Sequence, residues 1–218
     1  MGLYDLWESS PIRLESPENQ SEEIIDVIFP GNPLLCCGKA DYEFATRRRV
    51  TWRGHLHRLA KIVPNPMLTV SGHTQDMGRL SEHTKEATAA RVYLVIEFDF
   101  SEFAGDGKTP SQWAPLVREW TAAGITVGDA GAALHLHLAL RLPLVLVVHS
   151  GGKSLHGWYY VYETADNQLR PFMAYAVSLG ADPHTWLRSQ FVRMPDGRRE
   201  NGNPQITYYF DPRKAVKE

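Results

Sequence analysis

The sequence runs to 218 residues, long enough to bury a substantial core as one large domain or as one domain with an extension. A hydrophobic share of 43% beside 22% charged residues is that of an ordinary globular chain. The formal net charge of -2 excludes a globally basic nucleic-acid binder, so contact with a phosphate backbone has to come from local clusters.

Met1 to Glu8 lacks the basic start and apolar run of a secretory signal, and Leu6 stands where a myristoylation signal needs Ser or Thr. No later stretch approaches the roughly 18 uninterrupted apolar residues of a membrane span. Cys36 and Cys37 are adjacent, which argues against a disulfide framework and for a reducing, cytoplasmic setting.

The first 30 or so residues read as a polar leader entering a short helix, with Ser21 as N-cap and Ile24, Ile25, Val27 and Ile28 as its apolar face. Pro30, Gly31 and Pro33 break it. Arg47, Arg48, Arg49, Arg53, Arg58 and Lys61 then gather around Trp52, His55 and His57. That cluster is either a solvated face or a contact for nucleic-acid phosphates.

Val70 to Glu86, rich in Ser, Thr, Gly and His, reads as an irregular connection that carries His73 and His83. Arg91 to Phe100 follows as a strand. Because residues two apart in a strand share a face, Glu97 and Asp99 project together, opposite Val92, Leu94, Ile96 and Phe98. Adjacent carboxylates at the rim of an apolar strand call for a cation, and a divalent metal is one answer; a surface pair is the other.

Thr109-Pro110 predicts a helix start running to about Ala123, and a second helix is expected from about Asp129 to Arg141. His135 and His137, two apart, fall on different faces of it. Leu144 to Val148 reads as a strand, Ser150 to Lys153 as a turn, and Gly157 to Tyr162 as a further strand. Helix is expected over Asn167 to Leu179, with another short start at Asp182-Pro183. The runs Gln190–Arg193 and Ile206–Phe210 read as a hairpin or two paired strands. This order predicts an α+β fold, a mostly antiparallel sheet with helices packed on one side.

Within the turn, Gly151 and Gly152 let backbone amides approach a ligand, while Lys153, Ser154 and His156 add a charge, a hydroxyl and an imidazole that suit an anion. An exposed Gly-Gly hairpin is the plain alternative. Asp182 is a third carboxylate or simply a helix N-cap, and Arg188 and Arg193 flank Gln190 where each meets solvent or an anion. Three carboxylates, a phosphate-friendly turn and guanidiniums together describe metal-dependent phosphoryl transfer.

The order of these groups resembles the three motifs of the archaeo-eukaryotic primase superfamily, the primase-polymerases, in their plasmid, phage and mobile-element form. Glu97-Phe98-Asp99 stands as the first motif, Ser154-Leu155-His156 as the second, and Asp182 as the third, with Asp166, Asp196 and Asp211 as competitors. Arg193-Met194-Pro195-Asp196-Gly197 is similar to the family's Arg-x-Pro-Gly ending, with Asp196 as an extra residue. The resemblance covers about Arg91 to Asp211. It implies an RNA-recognition-motif-like catalytic core over 89–218 with an N-terminal α/β module over 1–88 packed on it. It further implies template-directed nucleotidyl transfer with two Mg2+ or Mn2+ ions held by Glu97, Asp99 and Asp182. Lys153, Ser154, His156, Arg188 and Arg193 would meet the incoming nucleoside triphosphate. Arg47, Arg48, Arg49, Trp52 and Arg53 would contact a single-stranded or primed DNA template, and a helicase or replication protein of the same replicon would be a further partner, with this chain a catalytic piece of a larger protein. Zinc is not expected, because Cys36 and Cys37 lack the C-x-x-C spacing that would let them join His55 and His57. A replication-initiator binding module and a metal-dependent nuclease are the rival readings.

Overall fold

A computed structural model describes residues 1–13, 20–69, 72–74, 78–81, 84–104 and 107–215. The chain opens with two helices, α1 (Leu3–Glu8) and α2 (Gln20–Ile28), followed by strands β1 (Leu34–Ala40), β2 (Glu43–Arg48), β3 (Lys61–Ile62), β4 (Gly72–Thr74) and β5 (Gly78–Ser81). Next come β6 (Tyr93–Phe98), α3 (Ala114–Ala122), α4 (Val127–Leu138), β7 (Leu144–His149) and β8 (Leu155–Tyr160). The chain ends through α5 (Asp166–Ser178), β9 (Val192–Arg193) and β10 (Ile206–Phe210). Two sheets result, one in the order β5-β4-β2-β1-β3-β9 and one in the order β10-β7-β8-β6. Every strand pairing among the described residues is antiparallel, so the α+β expectation holds. Among them no helix is long and apolar enough to cross a membrane.

The four-stranded sheet is buried on both faces, and the alternation of β6 shows how. Leu94, Ile96 and Phe98 join a cluster with Leu6 of α1, Val117 of α3, Ala132 and Leu138 of α4, and Leu169, Met173 and Ala176 of α5. Tyr93 and Val95 point the other way, into a second cluster with Ile24, Ile25 and Ile28 of α2 and with Leu35, Cys37 and Ile62 of the six-stranded sheet. Helices therefore cover one face, and α2 with the second sheet covers the other.

Several sequence expectations are corrected here. Ser21 lies inside α2, and its buried hydroxyl donates to the Pro195 carbonyl at 2.8 Å. Thr109 and Pro110 belong to a loop closed on Phe103, and α3 starts instead at Ala114, after Trp113 at its N-cap and with a proline in its first turn. Thr126 caps α4 by accepting from Asp129 N–H at 3.0 Å, so that helix begins two residues earlier than its apolar pattern suggested. The segment expected to be irregular carries β4, which includes the backbone of His73, and β5; His83 lies outside the described residues. The two C-terminal strands do not pair with each other: β9 pairs with β3 and β10 with β7, one in each sheet. That split ties the end of the chain to both layers.

His135 and His137 do fall on different faces of α4. His137 is exposed and meets the Tyr175 hydroxyl at 2.6 Å, while His135 is fully buried, with Nε2 at 3.3 Å from the Leu155 carbonyl and Nδ1 at 3.1 Å from the Tyr159 hydroxyl. A carbonyl only accepts, so Nε2 carries a proton. Burial pushes its pKa down to about 3. Below about pH 6.5 the unfolded chain takes up a proton at this position that the folded chain refuses, so the stability contributed by a neutral His135 is present above that pH and is lost as pH falls. Urea unfolding at pH 7 and pH 5 should show a loss of about 2 kcal/mol from this residue, and His135→Gln should flatten that part of the slope.

Gly157 is the counterpart of that histidine on β8. A Cβ at this position would lie 2.6 Å from His135 Cε1, so the bare backbone is what lets the ring lie against the strand. Gly157→Ala should cost on the order of 1–3 kcal/mol by overpacking, measured as a lower urea midpoint with an unchanged slope.

Candidate active site

Glu97 follows Tyr93 and Val95 on the face of β6 that looks toward the six-stranded sheet. Its partner across the ladder is His156 of β8, which in turn pairs with Val148 of β7. Glu97 Oε1 is 3.4 Å from His156 Nε2, and Ser154 Oγ is 3.3 Å from the same nitrogen. The hydrogen bond at that nitrogen is the one with Ser154 Oγ, and Ser154 also hydrogen-bonds the Glu97 carboxylate. Burial first, then the nearby Arg193 charge, pushes the His156 pKa down to about 3. The imidazole is therefore neutral, and its contact with Glu97 is not an ion pair. Among the described residues, the buried Nδ1 has no hydrogen-bond partner.

Asp99 lies just beyond the end of β6, open to solvent on one side and partly desolvated by its neighbours on the other. Lys153 reaches it from the β7–β8 turn, Nζ to Oδ1 3.6 Å. Asp182 arrives on the other side: its N–H donates to the Glu97 carbonyl at 2.9 Å, and Phe98 bridges to Ala181. The Asp182 carboxylate is turned to its own short 3-10 turn, Pro183–Trp186, accepting from His184 N–H at 2.9 Å and lying 2.8 Å from His184 Nδ1. Glu97 is raised above the usual carboxylate range chiefly by burial, with the charge of Asp182 adding to it and Ser154 and Arg193 opposing. Asp99 is raised by burial and by Glu97, against Lys153. One end of the sheet thus holds carboxylates that are short of positive charge. Among the described residues no group of three or more His, Cys, Asp and Glu is yet arranged to hold a metal ion.

The competitors of Asp182 are occupied elsewhere. Asp166 pairs with Arg91 at 3.3 Å, Asp196 accepts from Thr207 N–H at 2.8 Å, and Asp211 pairs with Arg213 at 2.9 Å.

The Gly-Gly turn differs from an open phosphate cradle. Its amides already have acceptors: Gly152 and Ser154 N–H donate to Ser150 Oγ at 3.3 and 3.2 Å, and Gly151 N–H donates to His149 Nδ1 at 3.3 Å. Arg199 lies across the turn, its Nη1 2.6 Å from where a Gly152 Cβ would be. Neither Arg199 nor His149 was singled out in the sequence. Arg199 sits in a loop after a turn, a position that no local pattern ties to β6 or β8.

Arg193 is brought to the group from β9, close enough for its charge to act on Glu97 and His156. Arg188 is not, because Nε and Nη2 both donate to the Lys85 carbonyl, at 3.1 and 2.7 Å. The N-terminal cluster is also reduced. Trp52 is buried with its indole N–H on the Leu35 carbonyl at 3.2 Å, so it cannot stack on a base. Arg49 and Arg53 are paired with Asp26, whereas Arg47 and Arg48 stay exposed, Arg47 over the Trp52 ring at 5.1 Å. Cys36 and Cys37 enter different buried clusters, so their thiols do not converge on one point.

No protein-family model matches the sequence, and no curated protein matches it. One solved structure is loosely similar. It is the AEP domain (PP-N190) of the cyanophage S-2L primase-polymerase, PrimPol, with a TM-score of 0.46 and 11% identity over 90% of this chain and 95% of that chain. At that TM-score the likeness carries no argument, and the functional reading rests on this chain's own residues.

Proposed function

We propose that the chain is a template-directed nucleotidyltransferase, a primase or polymerase that adds nucleotides to a primer or to an initiating nucleotide. The observation that carries this reading is the cross-strand pair Glu97–His156, with Asp99–Lys153 and Asp182 at the same end of the sheet. The motif resemblance supports it independently of the fold.

The donor set suits a hard divalent cation. Glu97, Asp99 and Asp182 offer carboxylate oxygens, and burial together with their mutual repulsion leaves Glu97 and Asp99 with raised pKa values that a nearby cation would relieve. These three would hold Mg2+ or Mn2+, with Asp182 giving up its contact to His184. When bound, such ions lower the pKa of an attacking 3′-hydroxyl and stabilise the charge on a leaving pyrophosphate. The chain itself would supply the rest. Lys153, placed on a turn, would exchange Asp99 for a phosphate oxygen. Neutral His156 and Ser154 would hold Glu97 in position and donate hydrogen bonds without adding charge. Template contact within 47–53 is narrowed to Arg47 and Arg48.

The direct test incubates the protein with single-stranded DNA, Mg2+ or Mn2+ and each nucleotide pool, with and without a primer. Elongated product is expected. Shortening of the DNA with no nucleotide incorporated would favour the nuclease reading, and salt-sensitive DNA binding alone would favour the initiator module.

A further inference from the structure

Asp196 is the extra residue of the Arg193-Met194-Pro195-Asp196-Gly197 ending, and the proposed chemistry does not use it. Its backbone stands in the left-handed region at φ 48°, and its side chain is held there. Oδ1 accepts from Thr207 N–H at 2.8 Å, and the Thr207 hydroxyl stands beside the same carboxyl group. Oδ2 is buried and, among the described residues, has no hydrogen-bond partner. No ion pair to Asp196 forms among them either. Burial pushes its pKa up and only the bonds from Thr207 oppose that, so the ionised carboxylate lacks a positive charge beside it.

A second buried oxygen in the same state belongs to Gln205, which is only 2% exposed. Its Nε2 donates to the Ala60 carbonyl at 3.0 Å, which fixes the orientation of the amide and leaves Oε1 buried with no partner among the described residues. The backbone brings the two side chains together. Gln205 N–H donates to the Gly197 carbonyl at 2.8 Å while Thr207 N–H holds Asp196, so the turn 195–197 lies along the start of β10. Gln205 and Thr207, two apart in an extended segment, share a face, and Ile206 between them is exposed. The turn is pinned from behind as well. The Pro195 carbonyl accepts from the buried Ser21 hydroxyl, Arg198 N–H donates to the Leu59 carbonyl at 3.0 Å, and a Cβ on Gly197 would collide with that carbonyl.

We infer that Asp196 Oδ2, Gln205 Oε1 and Thr207 Oγ1 form a structural site for a hard cation of the size of Na+ or Ca2+. A carboxylate, an amide carbonyl and a hydroxyl make an all-oxygen donor set of the kind such ions take. Irregular geometry suits Ca2+, whereas Mg2+ demands a near-ideal octahedron. Asp196 and Thr207 are half-buried, which gives the ion a way in and lets waters complete its shell. A water alone would bond both orphaned oxygens and leave the carboxylate charge unbalanced. The site is separate from the carboxylates of β6, because β10 and β6 are opposite edges of the four-stranded sheet with β7 and β8 between them. A bound ion would cross-link the turn that follows β9 to β10, one strand from each sheet. None of this depends on the nucleotidyltransferase reading.

Thermal melting is measured at constant ionic strength with choline, Na+, Mg2+ or Ca2+ as the cation, for the wild type, Asp196→Asn and Glu97→Ala/Asp99→Ala. Na+ or Ca2+ should raise the melting temperature over choline by at least about 3 °C in the wild type and equally in the double variant, with Mg2+ doing less. The rise should fall below about 1 °C in Asp196→Asn. That variant keeps an oxygen for Thr207 N–H and gains an amide that can donate to Gln205 Oε1, so in choline it should melt above the wild type. Thr207→Val keeps the N–H bond and loses only the hydroxyl, and calorimetric titration of the favoured ion should show affinity at least about fivefold weaker than wild type. Equal melting in all four cations would mean an ordered water only and overturns the site. So does a rise of the same size in Asp196→Asn, a rise lost in the double variant, or stabilisation by acid alone, which would assign a proton to the carboxyl group. Primer extension is read separately: its absence leaves this site standing, and an absent cation dependence leaves the polymerase reading standing.

Discussion

Replacing Glu97 and Asp99 together by Ala is expected to reduce nucleotide incorporation by at least about 10³-fold while leaving the chain folded. The two halves of that result have separate causes. Activity is lost because the carboxylates proposed to gather the divalent ions are gone, and Asp182 alone, bonded to His184, does not replace them. Stability is kept because neither carboxylate helps the fold as it stands. Burial raises both pKa values, and Glu97 and Asp99 repel each other, so ionised they cost free energy rather than contribute it. Groups with raised folded pKa values give stability at low pH that is lost as pH rises through them. The double variant should therefore match or exceed the wild type in thermal melting at pH 8, and should bind Mn2+ more weakly by electron paramagnetic resonance. A cooperative unfolding transition shifted far down would mean that the pair is structural.

Trp158→Ala should be the most damaging single change to stability, at about 3–5 kcal/mol, and should disrupt the Glu97–His156 end of the sheet along with the fold. Trp158 is fully buried on β8, two residues after His156 and on the same face, with Tyr93 at 5.7 Å and Phe29 at 6.5 Å in edge-to-face contact. It fills the seam between the two sheets just behind Glu97 and His156. Among the described residues its indole N–H has no hydrogen-bond partner. That detail separates the substitutions: Trp158→Phe leaves a smaller cavity and removes an unsatisfied donor, so it should cost only about 1–2 kcal/mol. Equilibrium urea unfolding of the two variants measures the difference, and equal losses would contradict the packing account.

The strands of the candidate site were legible because their evidence is local. The alternation of β6 placed Glu97 on a face, and the two-residue spacing of Ser154 and His156 placed them together; the ladder then set Glu97 opposite His156. Asp182 was also legible, as a short helix start, and it lies beside β6 while its rivals are bound elsewhere. What the sequence hid depends on pairing across long separations. β1 with Cys36 and Cys37 went unrecognised, because a strand buried on both faces shows no alternation. The union of β3 with β9 joins residues about 130 apart and carries Arg193 to the site, and nothing near Arg193 announces it. The arginine cluster misled for a related reason: Asp26, more than twenty residues away, takes up Arg49 and Arg53, and Trp52 goes into the core.

The most direct measurement is extension of a labelled primer on a defined template with one nucleotide supplied at a time, in Mg2+ and in Mn2+. The account predicts that the product lengthens only with the nucleotide complementary to the next template base, and that extension disappears with chelator and in the Glu97→Ala/Asp99→Ala variant. No extension under either metal, or extension that persists undiminished in the double variant, would contradict it.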